Sequence, residues 1–334
     1  MTNRREFLKN MAAMTAALSI PAVLDAQISA RDRLGEILPM RKLGKTGQYV
    51  TMLGVGGYHI GWTSERDAQR VIEAALEGGV RFFDTAEQYG PGTSEERYGK
   101  FLTPKYRDLV FLMTKTQART AKDAQQHLED SLRRLNTDYL DLWQMHSLFT
   151  PDDVDNRMQN KVLDVLLKAK QDGKVKHIGF TGHQNPFAHK HMLELTKKDD
   201  PFETVQMPVN LLDQSYFSFT HNVMPELLER NIGVLAMKTL ADGRFFAKKE
   251  KANWKTDDPV IPNYISIRDA MYFVWSLPVS TIISGAEKPE YIQDKIALAK
   301  SFVKLSEDER MALIDKVKTK AVDGQVEYFK KMPS

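Results

Sequence analysis

The sequence predicts a (β/α)8 barrel, on three observations. Short apolar runs alternate with amphipathic helical stretches eight times between residues 51 and 299, the number this fold requires. Right-handed crossovers between parallel strands leave few other ways to arrange such an alternation. Three successive runs, residues 80–84, 109–115 and 139–146, each end in one ionisable residue: Asp84, Lys115 and His146. In a barrel the carboxyl ends of all strands open on one face, so these groups would meet there. The alternative is a doubly wound sheet, suggested by Gly54-Val55-Gly56-Gly57-Tyr58-His59. That turn has His59 where the last glycine of a dinucleotide fingerprint belongs.

Composition sets wide bounds. The chain has 334 residues, 42% hydrophobic and 27% charged, which is enough for one large α/β domain or two smaller ones. The net charge of +3 comes from 47 basic and 44 acidic residues, too balanced to suggest nucleic acid as a partner. There is no cysteine, which excludes disulfides, thiolate metal sites and a lipid-modified cysteine but fits either redox compartment.

In chain order, residues 1–26 read as an address rather than as structure. Arg4-Arg5 is followed by Phe7-Leu8-Lys9, a mildly apolar stretch at 11–23 and then Leu24-Asp25-Ala26. This resembles a twin-arginine (Tat) export signal. The apolar stretch is too short to span a bilayer, where about 20 apolar residues are needed, so no stable membrane anchor is expected. The reading is cleavage after Ala26, a linker at 27–40, a single domain at 41–334, and a periplasmic or extracytoplasmic protein delivered by the Tat machinery.

Residues 41–50, around Gly44-Lys45-Thr46-Gly47, predict a β-hairpin. Residues 51–55 form the first barrel strand. Residues 65–76 place Ala68, Val71, Ile72, Ala75 and Leu76 on one helical face, which Gly78-Gly79 ends. The second strand, 80–84, leads to a helix through Leu102 with Ser94 as its expected cap. The third strand, 109–115, precedes a helix at 121–135, and the fourth is 139–146. Val162, Val165, Leu166 and Ala169 mark a helix that Gly173 ends. The remaining strands are expected at 175–180, 204–208, 232–237 and 279–283, with helices at 187–196, 223–230, 267–276 and 289–299. A further helix, 307–320, ends the domain. Residues 240–266 show no periodicity, and an aperiodic loop of that length in a barrel is usually functional. They and residues 147–157 are read as substrate-facing loops.

Tyr89 follows Asp84 by five residues, in a glycine-containing turn. A phenol, a carboxylate, an ammonium and an imidazole at neighbouring strand ends suit proton transfer to a carbonyl. Reduction of a carbonyl builds negative charge on its oxygen, so a proton donor must lie within hydrogen-bond reach. A free phenol, with a pKa of ~10, is a weak acid at neutral pH. Lys115 would lower it, Asp84 would hold the lysine charged and oriented, and His146 would donate a hydrogen bond to the carbonyl oxygen. Taken singly, each has a plain structural reading: a capping Asp, a packing Tyr, a solvated Lys, a rim His. Jointly, on three successive strand ends, they are hard to dismiss.

Phe82-Phe83-Asp84-Thr85-Ala86-Glu87-Gln88-Tyr89-Gly90, the run Leu128-Glu129-Asp130-Ser131-Leu132-Arg133-Arg134-Leu135-Asn136-Thr137-Asp138-Tyr139-Leu140-Asp141-Leu142, and Lys115 with His146 resemble the aldo-keto reductases. The resemblance runs over about residues 41–299. It implies NADPH-dependent interconversion of a small carbonyl and an alcohol, with NADH as the alternative cofactor. It implies a catalytic set of Asp84, Tyr89, Lys115 and His146. It places cofactor contacts at Gly56, Gly57, Thr181, Gly182, Gln206, Met237, Lys238, Gly285, Lys288 and Lys295. Substrate contacts fall at Tyr58, His59, His183, Phe245 and Phe246. The chain departs from the family in having Thr181-Gly182 for a Ser-Asn pair and Met237 for a stacking aromatic, and in Tyr291 and Lys295, where arginine and asparagine are common.

His183, His189 and His191 are read as surface helix rather than as a metal site. A second function class is a cofactor-binding sensor or scaffold, as in the channel β-subunits of the same family. A hydrolase using Asp84 and Glu87 as paired carboxylates ranks last, because it leaves Lys115 and His146 without roles. Export of a folded protein to a compartment with no free nicotinamide pool implies a tightly retained nucleotide.

Overall fold

The computed structural model describes residues 30–244, 248–250, 253–255 and 265–330; the expected signal at 1–26 and the pair Phe245 and Phe246 lie outside them. Two hairpins come first: β1 (Arg31–Asp32) with β2 (Gly35–Glu36), then β3 (Met40–Lys42) with β4 (Tyr49–Thr51). Seven barrel strands follow: β5 (Leu53–Gly56), β6 (Phe82–Asp84), β7 (Phe111–Thr116), β8 (Leu140–Met145), β9 (Val175–Thr181), β10 (Thr204–Pro208) and β11 (Gly233–Met237). A third hairpin, β12 (Lys248–Glu250) with β13 (Asn253–Lys255), stands apart from the barrel. β14 (Thr281–Ser284) then pairs in parallel with both β11 and β5, closing eight strands in chain order. The predicted barrel is the observed one.

The helices are α1 (Gly57–Trp62), α2 (Glu65–Glu77), α3 (Thr93–Phe101), α4 (Thr103–Tyr106), α5 (Ala121–Arg134), α6 (Pro151–Gln159) and α7 (Val162–Gln171). They continue with α8 (Pro186–Leu195), α9 (Phe219–Asn222), α10 (Met224–Glu229), α11 (Ile267–Trp275), α12 (Pro289–Lys300) and α13 (Glu307–Val317). Their starts follow cap chemistry. Ser64 Oγ accepts the Asp67 amide at 3.0 Å, and Ser266 and Ser306 each form a capping box with the acid three residues on. Among the described residues no helix is long and apolar enough to cross a membrane.

The differences from expectation have local causes. Ser94 does not cap its helix: α3 starts at Thr93 after Gly92, and the buried Ser94 hydroxyl donates to the Gly57 carbonyl at 2.8 Å. Residues 147–157 are not loop throughout. Thr150 caps α6 by accepting the Asp153 amide at 3.1 Å, with Pro151 at the first helical position, a start signal present in the sequence. The stretch expected as a linker carries β1 and β2, and Asp32 there pairs with the buried Arg81 at 2.6 Å. The chain also continues past α13: Val326 and Phe329 are buried.

Strand alternation positions the site. Leu43 and Val50 of the β3–β4 hairpin pack with Phe82, Met113, Leu142, Leu235 and Ile283, the apolar filling of the barrel. Side chains two apart on a strand face the same side. Asp84, Lys115 and Gln144 therefore stand inside the barrel, each two residues beyond one of those apolar residues. The hairpin seals the floor, and the polar layer lies above it.

Candidate active site

Asp84 ends β6 and Lys115 lies one residue from the end of β7, and both are almost fully buried. The Lys115 ammonium forms an ion pair with Asp84, donates to the Thr85 carbonyl at 2.7 Å and reaches the Tyr89 hydroxyl at 3.3 Å. His146 lies just past β8, and its ring meets the Tyr89 ring edge-on at 5.7 Å. The four residues singled out from the sequence thus form one connected group. Tyr58 also meets the phenol ring edge-on, at 5.6 Å, and is itself exposed.

The electrostatics differ from expectation. Burial raises the Tyr89 phenol well above its ordinary pKa, and the Asp84 charge adds to the effect. The expected lowering by Lys115 does not prevail, because Asp84 offsets the ammonium within a buried pair that is neutral overall. Burial also lowers the lysine and raises the aspartate, each opposed by its partner's charge. Burial, then the Lys115 charge, drives His146 well below the usual histidine range, so its imidazole is neutral. The arrangement holds a protonated phenol and a neutral imidazole side by side. Together they can offer two hydrogen-bond donors to one oxygen.

The expected cofactor residues are placed with unequal fit. Gln206, on the interior face of β10, leaves its side-chain oxygen buried and without a partner, and an amide donor would satisfy it. Thr181 ends β9 beside it, and Met237 ends β11. Lys238 pairs with Asp242 at 3.0 Å and lies over the Phe329 ring. Gly182 packs against the Leu148 carbonyl and the His189 ring. Gly57 serves packing: a Cβ there would lie 2.3 Å from the Asp84 carbonyl oxygen.

Gly56 and Gly285 lie side by side, and α12 begins four residues after Gly285, at Pro289, with Lys288 at its N-cap position. A helix N-terminus there suits a phosphate. Lys288 is exposed, whereas Lys295 is buried, lowered to about 8 by burial, and donates to the Gly285 carbonyl at 2.5 Å. Lys288 is therefore the better placed of the two for an anion.

His59 and His189 depart from expectation, and His191 does not. His59 faces away from Tyr89: it pairs with Glu287 at 3.2 Å and packs on Gly285, where a Cβ would come within 1.8 Å of its ring. It therefore packs on the loop that follows β14. His189 is fully buried, not on the surface, and burial lowers it to about 3. His191 pairs with Asp155 at 2.7 Å.

Sequence reasoning missed the segment after α13. Phe329 meets the His183 ring at 6.1 Å, and the Tyr328 hydroxyl bonds Asp242 while Arg244 stacks on its ring at 5.0 Å. The segment thus ties together the loops that follow β9 and β11. Its anchor is Lys330, fully buried between Asp213 at 2.5 Å and Glu327 at 2.7 Å. Lys330→Met would leave two carboxyl groups facing each other out of water, at a cost of ~3–5 kcal/mol. A lowered urea midpoint checks this. The available signal was the apolar pair Val326 and Phe329 beyond the last helix.

A groove of about 720 Å³ opens on the opposite, floor side, between Leu163, Leu167 and Leu195. It contains none of the expected site residues.

Comparison with known proteins agrees with this geometry. Residues 52–266 match the model of the Aldo/keto reductase family. The chain is 24% identical over 306 residues to the uncharacterized oxidoreductase YqkF of Bacillus subtilis (strain 168), covering 82% of this chain and 94% of that one. It is 31% identical over 234 residues to the aldo-keto reductase YhdN of the same organism, covering 65% and 66%. In fold it is similar to aldo-keto reductase AKR11C1 from Bacillus halodurans (holo form), with a TM-score of 0.69 at 22% identity over 87% of this chain and 99% of that one. The family match starts one residue before β5 and runs to the cap of α11, and on that extent the chain belongs to the aldo/keto reductase family of oxidoreductases.

Proposed function

We propose that the protein interconverts a small carbonyl compound and an alcohol, with Tyr89 as the proton donor and acceptor. The observation that carries the reading is the Lys115 ammonium, which reaches the Tyr89 hydroxyl at 3.3 Å while paired with Asp84. A nicotinamide nucleotide, the cofactor type the family uses, supplies the hydride when bound. Gln206 and Thr181 are the residues to hold its carboxamide, with Met237 nearby. Lys288 and the α12 N-terminus are the groups to meet its phosphates, and the Lys288 cation would suit the extra phosphate of NADPH, with NADH as the alternative.

Tyr89 gives its proton to the carbonyl oxygen as charge develops there. The Lys115 N–H that already points at the phenol oxygen stabilises the phenolate left behind. Neutral His146 orients the carbonyl by a hydrogen bond to the same oxygen. The raised phenol pKa keeps the donor protonated through neutral pH, which favours reduction over oxidation. Steady-state NADPH oxidation with butyraldehyde, benzaldehyde and glyceraldehyde tests the reading. A rate well above that of Tyr89→Phe supports it. Equal rates would leave the sensor or scaffold alternative.

Residues 1–26 are proposed as a Tat signal that directs a folded, periplasmic enzyme with its nucleotide retained. Arg4→Lys with Arg5→Lys should keep the protein in the cytoplasmic fraction. Export unaffected by that change would defeat the assignment.

A further inference from the structure

Glu87 sits between Asp84 and Tyr89 in sequence, yet it has no part in the proposed proton transfer. Its carboxyl turns toward the neighbouring strand end. One oxygen accepts the Gln117 amide at 2.8 Å, and the other lies 2.6 Å from His127 Nδ1. The same Nδ1 is 2.8 Å from Thr116 Oγ, which in turn accepts the Ala118 amide at 3.1 Å. Gln88 adds a side-chain bond to Gln117. The loop that carries Tyr89 is therefore fastened, through residues 87 and 88, to the segment directly after Lys115. The separation of the Tyr89 hydroxyl and the Lys115 ammonium spans that same junction.

We infer that Glu87 is a positioning residue for the Tyr89 phenol: its carboxyl fastens the Tyr89 loop to the segment after Lys115, and the proton it shares with His127 sets how that loop is held. The inference rests on the proposed role of Tyr89. With the proton on Glu87, its O–H donates to His127 Nδ1. With the proton on the imidazole, the Nδ1–H donates to a carboxylate. Moving that proton converts a neutral Nε2–H imidazole into an imidazolium, and loss of the Nε2 proton to water then leaves the Nδ1–H tautomer beside a carboxylate, with one negative charge at the loop.

The surroundings place the exchange in a useful range. Burial raises Glu87 to about 7, with Glu95 on α3 adding to the rise and the Gln117 amide, Arg134 on α5 and Arg157 on α6 opposing it. Burial lowers His127, whose other charged neighbours are Asp123, Asp130, Arg134 and Glu95. The His127 side chain is 34% exposed, which gives the shared proton a route to water. Small shifts of a proton donor against its partner change rates strongly, so the junction is a place where pH can act on the site without titrating the tetrad.

The test uses full-length protein labelled with carbon-13 at tyrosine Cζ, whose chemical shift reports phenol hydrogen bonding without any substrate. The resonance absent from Tyr89→Phe belongs to Tyr89. In the wild type it should shift with a midpoint near pH 7, the Glu87 value, and in Glu87→Gln that inflection should vanish. With the aldehydes above, Glu87→Gln should lower kcat about tenfold and leave KM within about threefold. An inflection that persists in Glu87→Gln, with wild-type kcat, overturns the proposal. If Glu87→Gln does not fold, His127→Phe removes the partner of the carboxyl and should move the midpoint upward. An unmoved midpoint there overturns the proposal as well. Full activity in Tyr89→Phe would instead defeat the parent reading, and this one with it.

Discussion

Tyr89→Phe is expected to lower kcat for aldehyde reduction by roughly a hundred- to ten-thousand-fold, the contribution of a positioned general acid. The ring would keep its contacts with Tyr58 and His146, at 5.6 and 5.7 Å from theirs, so the pocket wall keeps its shape. Nucleotide affinity should therefore stay within about twofold, and only the proton transfer is removed. Parallel fluorescence titration with NADPH and steady-state kinetics would read the two effects separately. A variant that lost binding and turnover together would point to a collapsed site and not to a missing proton.

Lys115→Met is the second large effect, and it acts on stability as well as on rate. Lys115 and Asp84 are 1% and 2% exposed, so removing the ammonium leaves a carboxylate in the barrel without its ion pair. Breaking a buried pair in this way costs ~3–5 kcal/mol. Burial already raises Asp84 in the presence of its partner, and loss of the lysine raises it further. A carboxyl whose folded pKa lies above its unfolded value favours the fold below the unfolded pKa, and that contribution is lost as pH rises through the folded pKa. Lys115→Met should accordingly be closest to wild type in acid and weakest above neutrality. Adding Asp84→Asn should recover most of the stability, because a neutral amide replaces the stranded charge, and recover none of the activity. Urea unfolding of both singles and the double across pH measures this directly. A double variant less stable than Lys115→Met would contradict the account.

Much of this was legible in the sequence because strand periodicity and strand-end chemistry are local. Phe82-Phe83-Asp84 shows an apolar run ending in an acid, and the two-residue alternation that buries Phe82 in the barrel also turns Asp84 inward. The start of α2 at Glu65 and the glycine pair after it are equally local, and both fell where expected. The misreadings concern tertiary context. The Tyr89 phenol rises because of burial, which a sequence does not display. His59 finds Glu287, and Lys330 finds Asp213, across separations that no spacing rule encodes. His189 reads as a surface residue on a helix of mixed composition until α8 is packed on the barrel. The helix α6 is a different case: Thr150-Pro151-Asp152-Asp153 is a start signal inside a stretch that otherwise reads as loop.

Tyr89 is proposed to supply the proton for a hydride reduction at this face of the barrel. The most direct measurement uses NADPH deuterated at the transferable position, with benzaldehyde, and follows label on the carbinol carbon by mass spectrometry. Deuterated benzyl alcohol is expected from the wild type, and labelling at least about a hundredfold slower from Tyr89→Phe, at saturating NADPH. Labelling at the same rate in both proteins would contradict it.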